Sequence, residues 1–230
     1  MAGWLTASAA DVPPCDDWLG PAEREVLSGL HVEKRRADWR LGRWVAKRAV
    51  AAVQRIPAER VEILAAADGA PEAWLGGARL NVSVSLSHRS GRAMAAVAAE
   101  PAVVGCDLEL VEPRSAAFVR EWLPEREQAL LAPLDGSEHA RVANLLWCAR
   151  EAAAKVRREG LRLDVRRAGV VLDGVAAARS GGAGRSGGWR PLRVVWPDTE
   201  PTPGWWRSDP GWVMVVAGAP AFRAPGRLEP

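Results

Sequence analysis

The sequence predicts an α+β fold of two similar lobes, because the same order of elements occurs twice along the chain. Residues 33–55 have a helical hydrophobic period and precede short alternating segments, and residues 137–158 begin that order again. A chain of 230 residues with 48% hydrophobic content can bury the core of one large domain or two small lobes. We expect the lobes at 1–103 and 104–220, followed by a disordered tail at 221–230.

The first lobe is expected to contain a helix over residues 33–55, which Pro57 closes. Trp39, Val45 and Ala49 lie at helical spacings in this segment, so one face of the helix is apolar. Alternating and β-branched segments predict the strands that follow, whereas a Gly- and Pro-rich segment predicts a loop. The strands are predicted at 60–64, 81–88, 93–99 and 103–110, and the loop at 67–77.

The second lobe contains the strongest helix prediction, residues 137–158. Ser137 is the predicted N-cap with Glu138 in the first turn, and Gly160 is expected to follow the end of the helix. Before it, residues 115–132 predict two short helices that are separated at Pro124. After it, strands are predicted at 169–172, 192–196 and 211–219, with a flexible surface loop at 180–188.

Composition excludes several classes of protein. No apolar run approaches the ~20 residues that a membrane-spanning helix needs, and the amino terminus lacks the pattern of a secretory signal. The cysteines, Cys15, Cys106 and Cys148, are far apart and form no C-x-x-C pair, so neither a zinc site nor a disulfide framework is expected. We therefore expect a cytoplasmic protein without a membrane partner.

The basic residues are concentrated in one segment although the net charge is only +3. The segment "EKRRADWRLGRWVAKR" lies within the predicted helix 33–55 and spans about four helical turns. A cluster of this kind favours a phosphate-rich ligand, a nucleic acid or an acidic protein, and composition does not choose among them. Its cations are Lys34, Arg35, Arg36, Arg40, Arg43, Lys47 and Arg48.

Two carboxylates interrupt the apolar strand "VVGCDLEL", which we expect to be central in its sheet. Asp107 and Glu109 are two residues apart, so they share one strand face with Gly105. Carboxylates ~4 Å apart repel by roughly 4 kcal/mol at an effective dielectric constant of ~20, so a partly buried pair needs a cation. Hard oxygen ligands favour Mg²⁺, and Gly105 would let a ligand approach the backbone. The alternative is a solvated face of an edge strand.

The predicted helix 137–158 carries a second group of candidate residues. Trp147, Glu151 and Lys155 are spaced by four residues and therefore fall on one helix face. Glu151 could be a third ligand of the cation, and Lys155 could contact a phosphate oxygen. The alternative is an ordinary Glu–Lys helix pair beneath a core tryptophan, which contributes about 0.3–0.5 kcal/mol.

A third group, Ser87 and His88, ends the strand "NVSVSLSH" at a Ser-Gly turn. The sequence contains no G-x-S-x-G elbow, no P-loop and no G-x-G-x-x-G fingerprint, so a hydrolase of the Ser-His-Asp type is poorly supported. An isolated histidine is more often structural or exposed than functional. The turn places a hydroxyl and an imidazole together at a strand end.

Taken in order, these motifs resemble those of the surfactin-type 4′-phosphopantetheinyl transferases. The resemblance runs from about Arg24 to Arg166 and rests mainly on "VGCDLE" and "WCAREAAAK", about forty residues apart. It implies a pseudo-dimeric α+β fold with the active site between the lobes, which agrees with the repeated order of elements. It also implies transfer of phosphopantetheine from coenzyme A to a serine of an acyl or peptidyl carrier protein, with release of adenosine 3′,5′-bisphosphate.

The resemblance also implies a role for each candidate residue. Glu151 is the implied general base, and Lys155 the residue that stabilises the leaving phosphate. The implied Mg²⁺ ligands are Asp107, Glu109 and Glu151, and the implied coenzyme A contacts are Arg35, Arg43, Ser87, His88 and Lys155, with Arg24 as an addition. Carrier proteins are acidic, so a basic rim lined by Trp122 and Trp147 could bind them, although both tryptophans could be core residues. A two-lobed chain would complete its own site as a monomer.

The sequence departs from the family pattern at two positions. Arg150 replaces the lysine that commonly precedes Glu151, and Ala70 replaces the lysine of the G-K-P segment near the adenosine. One alternative is therefore a coenzyme A-binding protein with impaired catalysis. A nucleic-acid binder that uses residues 34–48 is another alternative, but it lacks a recognisable motif and leaves the carboxylates unexplained. Polyketide, non-ribosomal peptide and fatty-acid carriers all stay open as partners.

Overall fold

A computed structural model of the protein describes residues 2–159, 163–172 and 188–229. Gly160 and residues 180–187, for which we predicted a helix end and a loop, lie outside the described residues. The helices are α1 (Pro21–Ser28), α2 (Glu33–Gln54), α3 (Ala116–Trp122), α4 (Glu125–Leu131) and α5 (Gly136–Arg157). The strands are β1 (Ala2–Ser8), β2 (Val61–Ala65), β3 (Pro71–Leu75), β4 (Ala78–Arg79), β5 (Val82–Arg89), β6 (Arg92–Ala99), β7 (Val103–Leu110), β8 (Gly169–Leu172), β9 (Arg190–Trp196), β10 (Thr199–Asp209), β11 (Trp212–Ala219) and β12 (Gly226–Arg227).

Each lobe packs one long helix against a sheet, which confirms the predicted two-lobed α+β fold. The N-terminal lobe contains the sheet β12-β1-β6-β5 and the small sheet β2-β3-β4, with α2 packed on them. The C-terminal lobe contains the sheet β7-β11-β10-β9-β8, which α5 covers. The helices α2 and α5 bury the apolar faces that their sequence periods predict. Among the described helices, none is both long and apolar enough to cross a bilayer.

The two lobes meet where β5 lies beside β7. Alternate residues of β5 are serines, and their hydroxyls face the outer edge of β7 instead of the core under α2. Ser83 Oγ accepts the amide of Val104 at 3.0 Å, and Ser85 Oγ accepts the amide of Cys106 at 2.9 Å. Strand β7 is therefore the last strand of its own sheet and not a central strand as we expected, but its edge amides are satisfied across the seam.

A fully buried ion pair holds the N-terminal lobe together. Glu23 of α1 accepts a hydrogen bond from Lys47 of α2 at 2.6 Å, and both side chains are at most 1% exposed. The second oxygen of Glu23 accepts the amide of Ile63 in β2 at 2.9 Å. One carboxylate thus joins two helices and a strand, and its charge is paired as burial requires.

The C-terminal lobe repeats this arrangement. Glu127 of α4 pairs with Arg150 of α5 at 2.5 Å, and its other oxygen accepts the amide of Val170 in β8 at 2.8 Å. The two pairs have nearly the same spacing in sequence, 24 and 23 residues. Arg150, which replaces the lysine common in the family motif, is thus a buried cation with a structural role. The repeat is also visible in the motifs "WVAK" and "WCAR", which end at the two buried cations.

Three local predictions are wrong. The predicted loop 67–77 contains β3, which pairs with β2 from Ala65↔Pro71 to Val61↔Leu75. Helix α5 begins before Ser137, because the amides of Glu138 and His139 already donate to the Asp135 carbonyl. The expected disordered tail contains β12, which pairs with β1 at Gly3↔Gly226 and Trp4↔Arg227, and Leu228 packs over Gly3 where β1 has no side chain.

Candidate functional site

A cavity of about 1050 Å³ lies between the two lobes. Its N-terminal wall is formed by β5 and by the turn between β2 and β3, which includes Ala70. Its C-terminal wall is formed by α5, which contributes Trp147, Glu151 and Lys155. These three residues therefore lie on one face of the helix, as predicted. Residues of both lobes line the same cavity.

Glycine at position 105 brings α5 close to β7. A Cβ atom at Gly105 would lie 2.0 Å from the Ala152 carbonyl oxygen and 3.0 Å from the Val156 amide nitrogen. The helix backbone therefore occupies the space that we expected for a ligand, and that prediction is wrong. The close approach has a different consequence, since it brings Glu151 and Lys155 next to the carboxylates of β7.

Asp107 is 5% exposed and is the centre of a hydrogen-bond network. Its Oδ1 accepts the Ser87 hydroxyl at 2.6 Å and the Lys155 ammonium at 2.9 Å. Lys155 also donates to the Cys106 carbonyl at 2.9 Å. Burial alone would lower the pKa of Lys155, but Asp107 and its other acidic neighbours raise it to about 12. Lys155 is therefore a fixed positive charge between the cavity and Asp107.

Glu151 lies beside this pair on the helix side of the cavity. Burial raises the pKa of Glu151, and the neighbouring Asp107 raises it further, whereas Lys155 acts in the opposite direction. No described residue holds its carboxylate by a hydrogen bond or an ion pair. A carboxylate with these properties can bind a cation or accept a proton.

Glu109 is 8% exposed and differs from Asp107 in its partners. Its Oε2 lies 3.0 Å from Nη2 of Arg114 and 3.8 Å from Nε of Arg89. Burial and Asp107 raise the pKa of Glu109, and the two arginines oppose part of this rise. The strand places Glu109 on the same face as Asp107, as predicted, but its charge is balanced by arginine.

The donor atoms fit a hard divalent cation in part. Within residues 2–159, 163–172 and 188–229, no group of three His, Cys, Asp or Glu side chains is arranged to hold a metal ion. However, Asp107 Oδ2 is buried and has no hydrogen-bond partner among the described residues. Asp107 and Glu151 thus offer two carboxylates that are not fully satisfied, and oxygen ligands of this kind suit Mg²⁺.

The predicted phosphate-binding cations lie in a second, smaller cavity of about 410 Å³. Arg35 and Arg43 of α2 line it together with His88, which lies on the face of β5 opposite Ser87. Burial lowers the pKa of His88 and that of Arg43, whose guanidinium lies 4.6 Å from the Trp39 ring centroid. The structure therefore places Glu151 and Lys155 at the large cavity and Arg35, Arg43 and His88 at the small one, with Leu86 of β5 lining both. Ser87, Asp107 and Glu109 line neither cavity.

Arg24 lies apart from both cavities and donates to the Leu19 carbonyl. The two tryptophans that we considered for partner binding are half-buried at the wall of the large cavity. The Trp122 and Trp147 rings pack edge to face with centroids 5.3 Å apart. They are therefore cavity residues and not part of the core interior.

Sequence reasoning missed two further contributions to this region. Asp68, in the turn before Ala70, binds Arg158 at the end of α5 with two hydrogen bonds of 2.9 Å. This pair joins the lobes at the cavity wall, and the hydrogen bonds from Arg158 lower the pKa of Asp68 to about 2. The other contribution is the hydrogen bond from Arg114 to the fully buried Asn144. The sequence signal for it was an asparagine within the apolar run "VANLLW", because a buried amide needs hydrogen-bond partners.

Two family models match the chain, one in each lobe. A family model described as the 4′-phosphopantetheinyl transferase N-terminal domain matches residues 23–98. A second model, described as the 4′-phosphopantetheinyl transferase superfamily, matches residues 103–195. The matches divide at the start of β7, where the lobes join. No curated protein matches the chain.

Several solved structures are similar to parts of the chain. The holo-[acyl-carrier-protein] synthase of Helicobacter pylori in complex with coenzyme A is 19% identical over 44% of this chain and 100% of its own, with a TM-score of 0.35. The holo-(acyl-carrier-protein) synthase of Bacillus anthracis in complex with CoA (3′,5′-ADP) is 21% identical over 42% of this chain and 91% of its own, with a TM-score of 0.37. The holo-[acyl-carrier-protein] synthase of Thermotoga maritima is 23% identical over 52% of this chain and 72% of its own, with a TM-score of 0.35.

The two family models together span both lobes and the residues on both sides of the central cavity. The protein therefore belongs to the 4′-phosphopantetheinyl transferase superfamily.

Proposed function

We propose that this protein transfers the 4′-phosphopantetheine group of coenzyme A to a serine hydroxyl of an acyl or peptidyl carrier protein, as a Mg²⁺-dependent enzyme of the surfactin type. The observation that carries the proposal is that Glu151 and Lys155 line the cavity between the lobes and that Lys155 binds the buried Asp107 directly behind them. A cavity of about 1050 Å³ is at the upper end of the range for ligand sites, which suits a large cofactor.

Asp107 and Glu151 are the residues that would hold Mg²⁺, because their carboxylates are not fully satisfied. Bound there, the ion would neutralise charge on the pyrophosphate of coenzyme A. Glu109 was predicted as a third ligand, and in this structure its Oε2 pairs with Arg114 at 3.0 Å. Lys155 would donate a hydrogen bond to a phosphate oxygen, since its raised pKa of about 12 keeps it protonated.

Glu151 is the candidate general base. Its carboxylate lies at the cavity wall, where it can accept the proton of a serine hydroxyl directly or through a water molecule bound to the metal ion. Glu151 would take the proton from the carrier serine hydroxyl, and the serine oxygen would form a bond to the β-phosphorus of coenzyme A. The bond from that phosphorus to the bridging oxygen would break, and adenosine 3′,5′-bisphosphate would leave with the oxygen and the electron pair.

The smaller cavity supports binding of the nucleotide end of coenzyme A. Arg35, Arg43 and His88 surround it, so a phosphate placed there would meet two guanidinium groups. Ser87 belongs to the strand between the cavities, and its hydroxyl holds Asp107 in position. We propose that the 3′-phosphate lies in this cavity while the pyrophosphate reaches Lys155.

A carrier-modification assay tests the proposed function. Incubation of apo-carrier proteins with coenzyme A, Mg²⁺ and the enzyme should add the mass of one phosphopantetheine to the carrier, and EDTA should abolish the reaction. The variant D107N should bind the carrier but give no product. If no product appears with acyl and peptidyl carriers of several pathways, the proposed activity is wrong.

One observation favours a second candidate, a coenzyme A-binding protein with impaired catalysis. Ala70 lines the cavity with a methyl group where the related motif carries a lysine. Equilibrium binding of coenzyme A, measured beside the carrier assay, separates the two candidates. Binding without transfer would support the impaired protein.

A further inference from the structure

We propose that the ion pair between Asp68 and Arg158 is a latch that holds the turn between β2 and β3 against the end of α5, so that this turn forms a fixed wall of the large cavity. Asp68 and Arg158 are then positioning residues, which act on a bound substrate through the turn. That the substrate is coenzyme A rests on the proposed function, whereas the contact between the turn and the helix rests on the geometry.

The latch connects the two walls of the cavity directly. Nε and Nη2 of Arg158 each donate to one carboxylate oxygen of Asp68 at 2.9 Å, which is the two-pronged geometry that arginine forms with carboxylates. Arg158 follows the last residue of α5, and Asp68 lies in the turn of the other lobe. Their side chains are 38% and 34% exposed, and both residues line the cavity. The lobes are thus joined at the cavity wall as well as along β5 and β7.

Asp68 also organises the turn from within. Its Oδ1 accepts the amide of Ala70 at 3.1 Å and, at the same time, one hydrogen bond from Arg158. The turn closes through the amide of Gly69 on the Ala66 carbonyl at 2.9 Å and the amide of Ala66 on the Ala70 carbonyl at 2.8 Å. Loss of Arg158 would leave these backbone bonds possible, but it would free the carboxylate and the turn to move relative to α5.

The backbone of Arg158 indicates that its side chain is what this position requires. Arg158 ends α5 in the left-handed conformation, with φ 54° and ψ 25°. Glycine adopts this conformation more readily than a residue with a Cβ atom, and it is common at such helix ends. An arginine is therefore unfavourable for the backbone here, and its two hydrogen bonds to Asp68 offset that cost.

The latch affects binding because the turn supplies part of the cavity lining, residues 69–71. A wall that is already in position need not be ordered when a ligand binds, whereas a mobile turn lowers the population of the arrangement that binds. Lys155 keeps its own contacts with Asp107 and with the Cys106 carbonyl, which do not involve the turn. Loss of the latch should therefore weaken binding and leave the chemical step unchanged.

The variant R158G breaks the latch and relieves the backbone in one change. It should melt close to the wild type, because the relief offsets the lost ion pair. Its KM for coenzyme A should rise by about threefold to fivefold with kcat unchanged, since an exposed ion pair shifts an equilibrium by at most about that factor. A residue that only ended the helix would leave KM unchanged. An unchanged KM, or a lower one, in R158G would overturn the inference.

Two further variants separate the latch from the charge of Arg158. R158K keeps the positive charge but cannot form two parallel hydrogen bonds, so its KM should lie between those of the wild type and R158G. R166Q removes a positive charge from the same cavity, but Arg166 pairs with Asp164 inside the C-terminal lobe, so its KM should rise less. If R158K equals the wild type and R166Q equals R158G, charge alone is responsible and the inference is wrong.

Hydrogen exchange of the free protein tests the latch without any substrate. In the peptide that covers residues 66–71, the Ala70 amide should exchange at least about threefold faster in R158G than in the wild type or R166Q, because the Asp68 carboxylate is no longer held. Equal exchange in the three proteins would overturn the inference. Faster exchange in R158G, together with a wild type that binds no coenzyme A, would support the latch and contradict the proposed function.

Discussion

Asp107 and Glu151 carry the same functional group but are held differently when no ligand is bound. Asp107 accepts hydrogen bonds from Ser87 and Lys155, so its charge is compensated by the protein. Glu151 has no such partner among the described residues, and burial raises its pKa. Like-charge repulsion alone would make the loss of either carboxylate harmless to folding. The contacts predict opposite effects on stability for the two residues.

We expect E151Q to melt at a higher temperature than the wild type at neutral pH. The pKa of Glu151 is raised in the folded state, so the native protein holds this proton more tightly than the unfolded chain. The contribution of Glu151 to stability therefore falls as pH rises from its unfolded pKa of about 4.3 through its raised folded value. The advantage of E151Q should vanish below about pH 4, which melting curves across pH would show.

D107N provides the matched comparison in the same melting experiment. It leaves the Lys155 ammonium without its carboxylate, and a hydrogen bond to a charged group contributes about 1–3 kcal/mol. We therefore expect D107N to melt at a lower temperature than the wild type at neutral pH. Equal shifts for D107N and E151Q would contradict the assigned contacts.

We expect A70K to lower KM for coenzyme A by about fivefold with little change in kcat. Ala70 lines the cavity, and its backbone is fixed by the amide of Ala66 and the carboxylate of Asp68, so a new side chain extends into the cavity. A positive charge far from the reacting phosphorus would stabilise ground and transition states alike.

Steady-state kinetics at low and high salt check this expectation, since an electrostatic contact weakens as salt rises. The variant A67K is the matched control, because Ala67 is an exposed residue of the same turn and does not line the cavity. An equal decrease of KM in A67K would show that the effect comes from net charge and not from the site.

At the scale of elements, the approach of α5 to β7 decides where the functional side chains lie. Gly105 allows this approach because no other residue leaves room for the Ala152 carbonyl. The same helix is anchored on its other side by Arg150, which binds Glu127 of α4. The position of Glu151 and Lys155 relative to Asp107 therefore depends on both the glycine and the buried ion pair.

We expect G105A to lose stability by about 1–3 kcal/mol, as overpacked sites do, and to lose most of its transferase activity. The new Cβ atom would push α5 away from β7 and separate Lys155 from Asp107. Denaturant unfolding and the carrier assay measure the two effects. G42A is the control for stability, because a Cβ atom there meets its first neighbour at 3.6 Å and alanine favours the helix. A stable and active G105A would contradict this account.

Some elements could be predicted from the sequence and others could not, for identifiable reasons. The helices α2 and α5 each have 22 residues with a sustained period, so local pattern was sufficient. Strand β10 was missed because "TEPTPGWWRSD" contains two prolines and a glycine, and its identity as a strand depends on its pairing with β9 and β11. In the site, the shared strand face of Asp107 and Glu109 could be predicted from the residue spacing. The pairing of Glu109 with Arg114 could not, since it depends on the buried Asn144, which holds Arg114 in place.

At the scale of the whole molecule, the two lobes repeat the same frame, by which we mean the buried ion pair between a short helix and the long helix. They do not repeat the functional residues. The motifs "WVAK" and "WCAR" end at the buried cations Lys47 and Arg150. The residue after each cation differs in charge, because Arg48 follows in the first lobe and Glu151 in the second. The buried ion pair is thus common to both lobes, whereas an acidic residue directly after the buried cation occurs in the C-terminal lobe.

We expect E127Q to lose about 3–5 kcal/mol of stability, because it leaves the buried Arg150 charge without its partner. E23Q should behave similarly, since the Lys47–Glu23 pair is equally buried. K34A is the control, because the Lys34–Asp38 pair lies at the surface with Lys34 86% exposed, and its loss should cost at most about 1 kcal/mol. Denaturant unfolding measures all three, and a loss in E127Q no larger than in K34A would contradict the role of the frame.

The serine hydroxyls between β5 and β7 join the two lobes without merging their sheets. A backbone ladder would fix the two strands in one register, because a sliding strand must break its hydrogen bonds before it can form new ones. Ser83 and Ser85 instead accept the amides of Val104 and Cys106 through hydroxyls that turn about a single bond. The two sheets therefore end at this joint, and each keeps its own strand order while the edge amides of β7 stay satisfied.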